Sequence, residues 1–210
     1  MLKGITVFTQ SSIKMEKEKV IYFDPFGITE EYHDADLIFI THNHYDHFDP
    51  SSIQKIRKEE TEIVVPRSIK KDVEKLFDIN SIYLLEPDSN YLIQNIHIET
   101  IPSYNTNKAF HPRTNNWLGY IIELDSIRYY ITGDTDVTEE AKNVSCDVLF
   151  LPIGGTYTMT AEEACELTNI IHPSIVVPTH YGSIVGTKDM ENDFQKNLDS
   201  SITCQILLKH

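Results

Sequence analysis

A chain of 210 residues with 40% apolar, 10% aromatic and 24% charged side chains fits one globular domain, 1–210, with a substantial core. Eighteen basic against 32 acidic residues leave a formal charge of −14, which disfavours nucleic acid and anionic membranes as partners, and no stretch nears the ~18 consecutive apolar residues of a membrane span. Cys146, Cys165 and Cys204 are scattered and odd in number and "MLKGITVFTQSSIKMEKEK" lacks a leader pattern, so a reducing cytoplasm is expected and a disulfide or cysteine–zinc framework is not.

In chain order, "GITVF" and "VIYFDP" are strand-type runs, and "KMEKEK" (14–19) between them is expected to be a solvated hairpin tip. "DLIFI" is a buried strand. Asp49 or Ser51 can cap a helix over "IQKIRKEE", with Pro50 at its start. "TEIVVP" is a short strand. "RSIKKDVEKLF" puts Ile69, Val73, Leu76 and Phe77 on one helical face. Strand-like runs follow: "SIYLL", "NYLIQ", "IHIETIP", "WLGYIIEL" and "IRYYITGD". "CDVLFLPIG" is a buried strand. "TAEEACELTNII" is a helix with Thr160 as N-cap and Glu163 three residues on. "SIVVPTH" is a strand, "KDMENDFQKNL" a helix and "ITCQILL" a last strand. Early hairpins and later helix–strand alternation predict an α/β layered sandwich of two sheets with helices outside. There is no internal repeat and no linker.

Four strands end in ligand-type residues: "LIFITHNHYDH", "HIETIPSYN", "RYYITGDTD" and "SIVVPTHYG". They offer His42, His44, Asp46, His47, Asp134 and His180, a set of imidazole and carboxylate without thiolate that suits Zn²⁺, Mn²⁺ or Fe. His42 and His44, two apart, project to one side of extended chain, while the adjacent Asp46 and His47 must fan apart. One ion cannot readily take all four. Two neighbouring ions roughly 3.5–4 Å apart can, and they would hold a bridging hydroxide. His33, His97 and His172 read as isolated surface or packed histidines.

"THNHYDHFD" resembles the HxHxDH signature of the metallo-β-lactamase fold hydrolases, and "TGDTD" and "PTHYG" resemble that family's later ligand motifs in order and separation. The nearest resemblance is to the branch with N-acyl phosphatidylethanolamine phospholipase D and ascorbate-phosphate lactonase, which "LPIGGTYTMTAEEA" also resembles. The resemblance covers nearly the whole chain. It implies an αββα sandwich with two metal ions at one edge, His42 and His44 on the first, Asp46, His47 and His180 on the second, and Asp134 bridging. Family members usually give the first ion a third histidine. Here "IPSYNTNKAFHP" puts Asn105 at that point, so Asn105 is expected near the metal. His111 swinging in, or a partly filled site, are the alternatives.

The expected function is a dinuclear metal-dependent hydrolase that turns a metal-held hydroxide on a small, anionic phosphodiester, lactone or ester. Asp46 would orient that hydroxide or pass on its proton. Tyr181 beside His180, or Tyr157 after Gly154-Gly155, could donate to the oxyanion. Lys108 and Arg113 on "NTNKAFHPRTNN" could receive an anionic group. The competing reading is a metal-binding sensor or inactive member of the fold. The sequence is silent on oligomeric state.

Overall fold

The computed structural model describes residues 1–209. β1 (Ile5–Val7), β2 (Ile13–Glu16) and β3 (Val20–Phe23) form an antiparallel meander. β4 (Ala35–Phe39), β5 (Arg57–Pro66) and β6 (Ile82–Leu85) extend it in parallel, with α1 (Pro50–Ile56) and α2 (Lys70–Val73) in the crossovers. The second sheet repeats the plan. β7 (Ser89–Ile93), β8 (Ile96–Pro102), β9 (Leu118–Leu124) and β10 (Ile127–Ile131) are antiparallel. β11 (Val148–Pro152), β12 (Ile175–Thr179) and β13 (Thr203–Cys204) then run parallel, separated by α3 (Glu139–Lys142), α4 (Ala161–Ile171) and α5 (Met190–Lys196). The spatial orders are β1-β2-β3-β4-β5-β6 and β13-β12-β11-β10-β9-β8-β7.

Strand alternation explains the layering, because successive side chains point to opposite faces. Ile21, Phe23, Leu37, Phe39 and Val64 face the second sheet and join Ile98, Tyr120, Ile122 and Tyr129 in the central core. Their neighbours Tyr22, Ile38, Ile63 and Val65 face outward and are covered by Ile53 and Ile56 of α1 and by Ile69 and Val73. On the far side α4 packs on β11 and is held by a full capping box between Thr160 and Glu163, as the sequence predicts. The result is the expected layered α/β fold, helix, sheet, sheet, helix.

Four local expectations are corrected. Residues 14–16 of the supposed hairpin tip lie in β2, with Met15 in the core. Lys14 is tolerated there because Asp34 lies 2.8 Å from its Nζ and the rings of Tyr22 and Tyr32 flank it. The helix after Pro50 stops at Ile56, and "RKEE" belongs to β5, whose Arg57 pairs with Ala35 of β4. The segment 67–77 is a 3₁₀ turn and the single turn of α2, although Ile69, Val73 and Phe77 do face the outer core. Of "ITCQILL", only Thr203–Cys204 forms a strand, and Leu208 makes one bridge to Val7.

Candidate metal centre

Strands β4, β8, β10 and β12 all run out toward one rim, and the two sheets are stitched together there. The Leu118 N–H of β9 donates to the carbonyl of Thr41, and the buried Tyr120 hydroxyl donates to the carbonyl of Ile40 at 2.7 Å. Opposite, the His180 N–H donates to the carbonyl of Gln10. Past Thr41 the chain turns, with His47 and Phe48 both donating to the His44 carbonyl, so "HNHYDH" wraps around one point. Gly133, at φ +65°, lets the end of β10 approach that turn: a Cβ there would stand 2.9 Å from the Thr41 Cβ.

Two triads result. His42, His44 and His111 bring one ligand atom each within 4.8 Å of one another, and so do Asp46, His47 and His180. Asp134 lies between them. Its carboxylate oxygens stand 3.2 Å from His47 Nε2, 3.2 Å from His180 Nε2, 3.4 Å from His111 Nε2 and 4.0 Å from His42 Nε2. Each triad takes members from the turn after β4 and one from a segment that follows a strand of the second sheet. The indole of Trp117, the chain's single tryptophan, touches all three rings of the first triad, with centroids 4.8, 4.9 and 5.5 Å away.

Three of these rings, those of His42, His47 and His111, have a buried oxygen beside Nδ1. Asp24, fully buried, accepts from His47 Nδ1 at 2.8 Å and from the hydroxyl and N–H of Thr41 at 2.7 Å each. With its proton on Asp24, the Thr41 oxygen is an acceptor for His42 Nδ1, 3.0 Å away. Asn105 Oδ1 accepts from both the backbone N–H and the ring Nδ1 of His111, at 2.9 and 3.1 Å. A proton fixed on Nδ1 leaves the Nε2 lone pair facing inward, as a metal ligand requires. Among the described residues, the buried His47 Nε2, His111 Nε2, His180 Nδ1 and Asp134 Oδ1 make no hydrogen bond. Such orphaned donors are costly unless something absent satisfies them, so the donor set fits divalent metal.

Electrostatics agree for His42, His44, Asp46 and Asp134. Burial, reinforced by the charge of His47, holds His42 well below the ordinary imidazole range, and burial with His111 lowers His44. Both are neutral nitrogen donors. Burial opposes ionisation of Asp134, but His180 and His47 outweigh it and keep the carboxyl well below the usual range. Asp46 likewise falls to about 2, since the His180 hydrogen bond and His47 overcome its burial. His47 moves the other way: burial resists its charge, and Asp134 and Asp24 prevail.

The sequence-predicted residues His42, His44, Asp46, His47, Asp134 and His180 thus converge. Asn105 does not occupy the third position of the first triad. Both lone pairs of its amide oxygen serve His111, and its amide nitrogen donates to Asp136 and to the Tyr157 carbonyl. His111 fills that place. Tyr181 is a second correction: it is fully buried, its hydroxyl donates to Glu191 at 2.9 Å, and it does not line the pocket above the triads. Lys108 is bound to Asp136 at 2.9 Å, and Arg113 pairs with Glu140 over the ring of Tyr104, so neither faces that pocket. Asp24, Asp136 and Gln10 were not singled out from the sequence. Gln10, buried at φ 49°, lies 3.4 Å from Asp46 and 3.3 Å from His180 through its Nε2, with Oε1 unpartnered.

A cavity of about 240 Å³ opens over the cluster. His44, Asp46, His111 and Asp134 form its floor, and Tyr45, Phe110, Tyr157 and Ile184 its rim.

Comparison with known proteins gives this arrangement a family. The β-lactamase superfamily domain matches residues 4–180. A UPF0173 metal-dependent hydrolase of Thermococcus kodakarensis is 31% identical over 185 residues, 80% of either chain, and one of Pyrococcus horikoshii is 30% identical over 184 residues with the same coverage. A crystallised protein of Parabacteroides distasonis, described as a metal-dependent hydrolase, superposes with a TM-score of 0.81 at 30% identity, covering 98% of this chain and 93% of that one. The Ignicoccus hospitalis metallo hydrolase Igni18 shares the fold, with a TM-score of 0.78 at 22% identity over 96% of this chain and 93% of its own. The chain belongs to the β-lactamase superfamily, and within it is a metal-dependent hydrolase.

Proposed function

We propose that the protein hydrolyses an ester, lactone or phosphodiester bond in a small molecule at a centre of two divalent ions, with zinc the preferred metal and manganese or iron its competitors. The observation that carries this reading is the pair of triads sharing Asp134, each with one inward-facing, unsatisfied nitrogen, His111 Nε2 in the first and His47 Nε2 in the second. His42, His44 and His111 would hold one ion, Asp46, His47 and His180 the other, and Asp134 both. Such ions, when bound, polarise the scissile group and lower the pKa of a water.

The chain's own groups do the rest. Asp46, ionised and reaching the pocket floor, is placed to orient that water and take its proton. Tyr157 stands at the rim, where its hydroxyl can donate to the developing oxyanion, a role that falls to it because Tyr181 faces Glu191. Asp24, Thr41 and Asn105 hold the imidazoles in tautomer and orientation. His111 beside His42 and His44 supports a fully equipped first site over a half-filled one.

The test is a metal titration of the chelator-treated protein, read by elemental analysis and by the emission of Trp117, which abuts one triad only. Two ions per chain are expected, with just one of the two binding steps changing the emission strongly. A single equivalent at saturation would overturn the dinuclear reading.

A further inference from the structure

Outside the core, nine large hydrophobic side chains are exposed among the described residues, and four of them, Tyr45, Phe110, Tyr157 and Ile184, ring one cavity. They are 65, 48, 36 and 40% exposed. Three are braced rather than loose. Phe110 packs edge-on against Tyr157 with centroids 4.7 Å apart, and Tyr45 packs edge-on against Phe26 at 5.9 Å. An apolar rim held in place above a polar floor is the arrangement of a binding pocket, in which apolar walls supply affinity and a few polar groups fix orientation. Among the described residues the rim itself holds no cationic side chain. No lysine or arginine lines the cavity, the nearby Lys108 and Arg113 are bound to carboxylates, and the chain carries −14.

We infer that the substrate carries an uncharged aromatic or branched apolar group next to the bond that is cleaved. That group would sit among Phe110, Tyr157, Tyr45 and Ile184, while the reacting carbonyl meets the floor. An anionic substituent on that group would be dehydrated against apolar walls with no countercharge beside it. The cavity of about 240 Å³ admits one such group, not a long acyl chain. The inference rests on the metal-hydrolase reading above.

Hydroxamates separate the two, because they bind through the metal whatever their substituent. On the zinc-loaded full chain, benzohydroxamate should bind at least about tenfold tighter than acetohydroxamate, the ring's burial supplying the difference. 4-Carboxybenzohydroxamate should lose most of that gain. Ile184→Lys, at an exposed position, should invert the preference between the carboxylated and plain rings, and Phe110→Ala should erase the gain over acetohydroxamate. If all three probes bind equally, or the carboxylated ring binds best to the unmodified chain, the inference fails and the metal reading stands. If none binds, the metal reading fails and takes the inference with it.

Discussion

Asn105 Oδ1 sits 3.1 Å from Nδ1 of His111 and 2.9 Å from the same residue's backbone N–H, so one amide oxygen fixes both the ring and the turn that carries it. Its amide nitrogen is anchored to Asp136, which also accepts from the N–H groups of Thr106 and Asn107 and from Lys108. The loop is therefore a rigid arm with an imidazole at its end.

Removing that oxygen should loosen one ion and spare the other. Asn105→Ala is expected to weaken metal binding at the first triad by about 10- to 100-fold, the usual effect of losing a ligand's orienting partner. His111→Ala should weaken it further. Competitive chelator titrations followed by Trp117 emission measure both, and an unchanged affinity in Asn105→Ala would show that the arm holds its shape without the amide.

Asp134 touches both triads, so its loss should be felt by both. Asp134→Asn keeps the shape but removes the charge that balances His180 and His47. Metal content is expected to fall below two per chain and turnover by about 10²-fold or more. Two ions retained at full turnover would exclude a shared ligand.

The two tyrosines should behave oppositely. Tyr157→Phe is expected to lower kcat by about 10²-fold with metal content intact, the cost typical of one oxyanion donor. Tyr181→Phe should leave kcat alone and cost about 1 kcal/mol of stability through the lost contact with Glu191. The pair of kcat values and thermal midpoints decides between them.

Asp49 caps α1 immediately after the ligand turn, accepting from the N–H groups of Ser51 and Ser52 and from both hydroxyls. Burial pushes its carboxyl up, but the hydrogen bonds of Ser52 and Ser51 outweigh that and leave it lowered. A lowered folded value means the stabilisation is present above the unfolded pKa of about 3.9 and is lost as pH falls through the folded one. Asp49→Ala should cost about 1 kcal/mol at neutral pH. The gap should close on acidification in urea titrations run with chelator present. A gap that persisted below the folded pKa would assign the effect to helix propensity instead.

Most of the strands and the "HNHYDH" turn are legible in the sequence because their signals are local: apolar runs, and ligands within a few positions of each other. Asp134 and His180 are legible because each closes an apolar strand. Asn105 and His111 are not, since which one reaches inward depends on a turn closed by the Asn105 N–H on the His111 carbonyl, six residues away. Tyr181 misleads for a related reason. It neighbours His180, but His180 has φ 58° and the chain veers there, sending the next side chain toward α5. Asp24 and Gln10 carry no pattern of their own, because each gains its meaning from a strand or loop that is distant along the chain.

Because each triad draws from segments that follow strands of both sheets, the ions would act as clasps across the layer boundary. Pulling the sheets apart at that rim breaks both coordination sets, so the concentration of free metal becomes a variable of fold stability. Each tenfold rise above a site's dissociation constant would add about 1.4 kcal/mol against separation. In such a hydrolase scarcity of metal would soften the architecture itself, at the rim where the Leu118 N–H meets the Thr41 carbonyl.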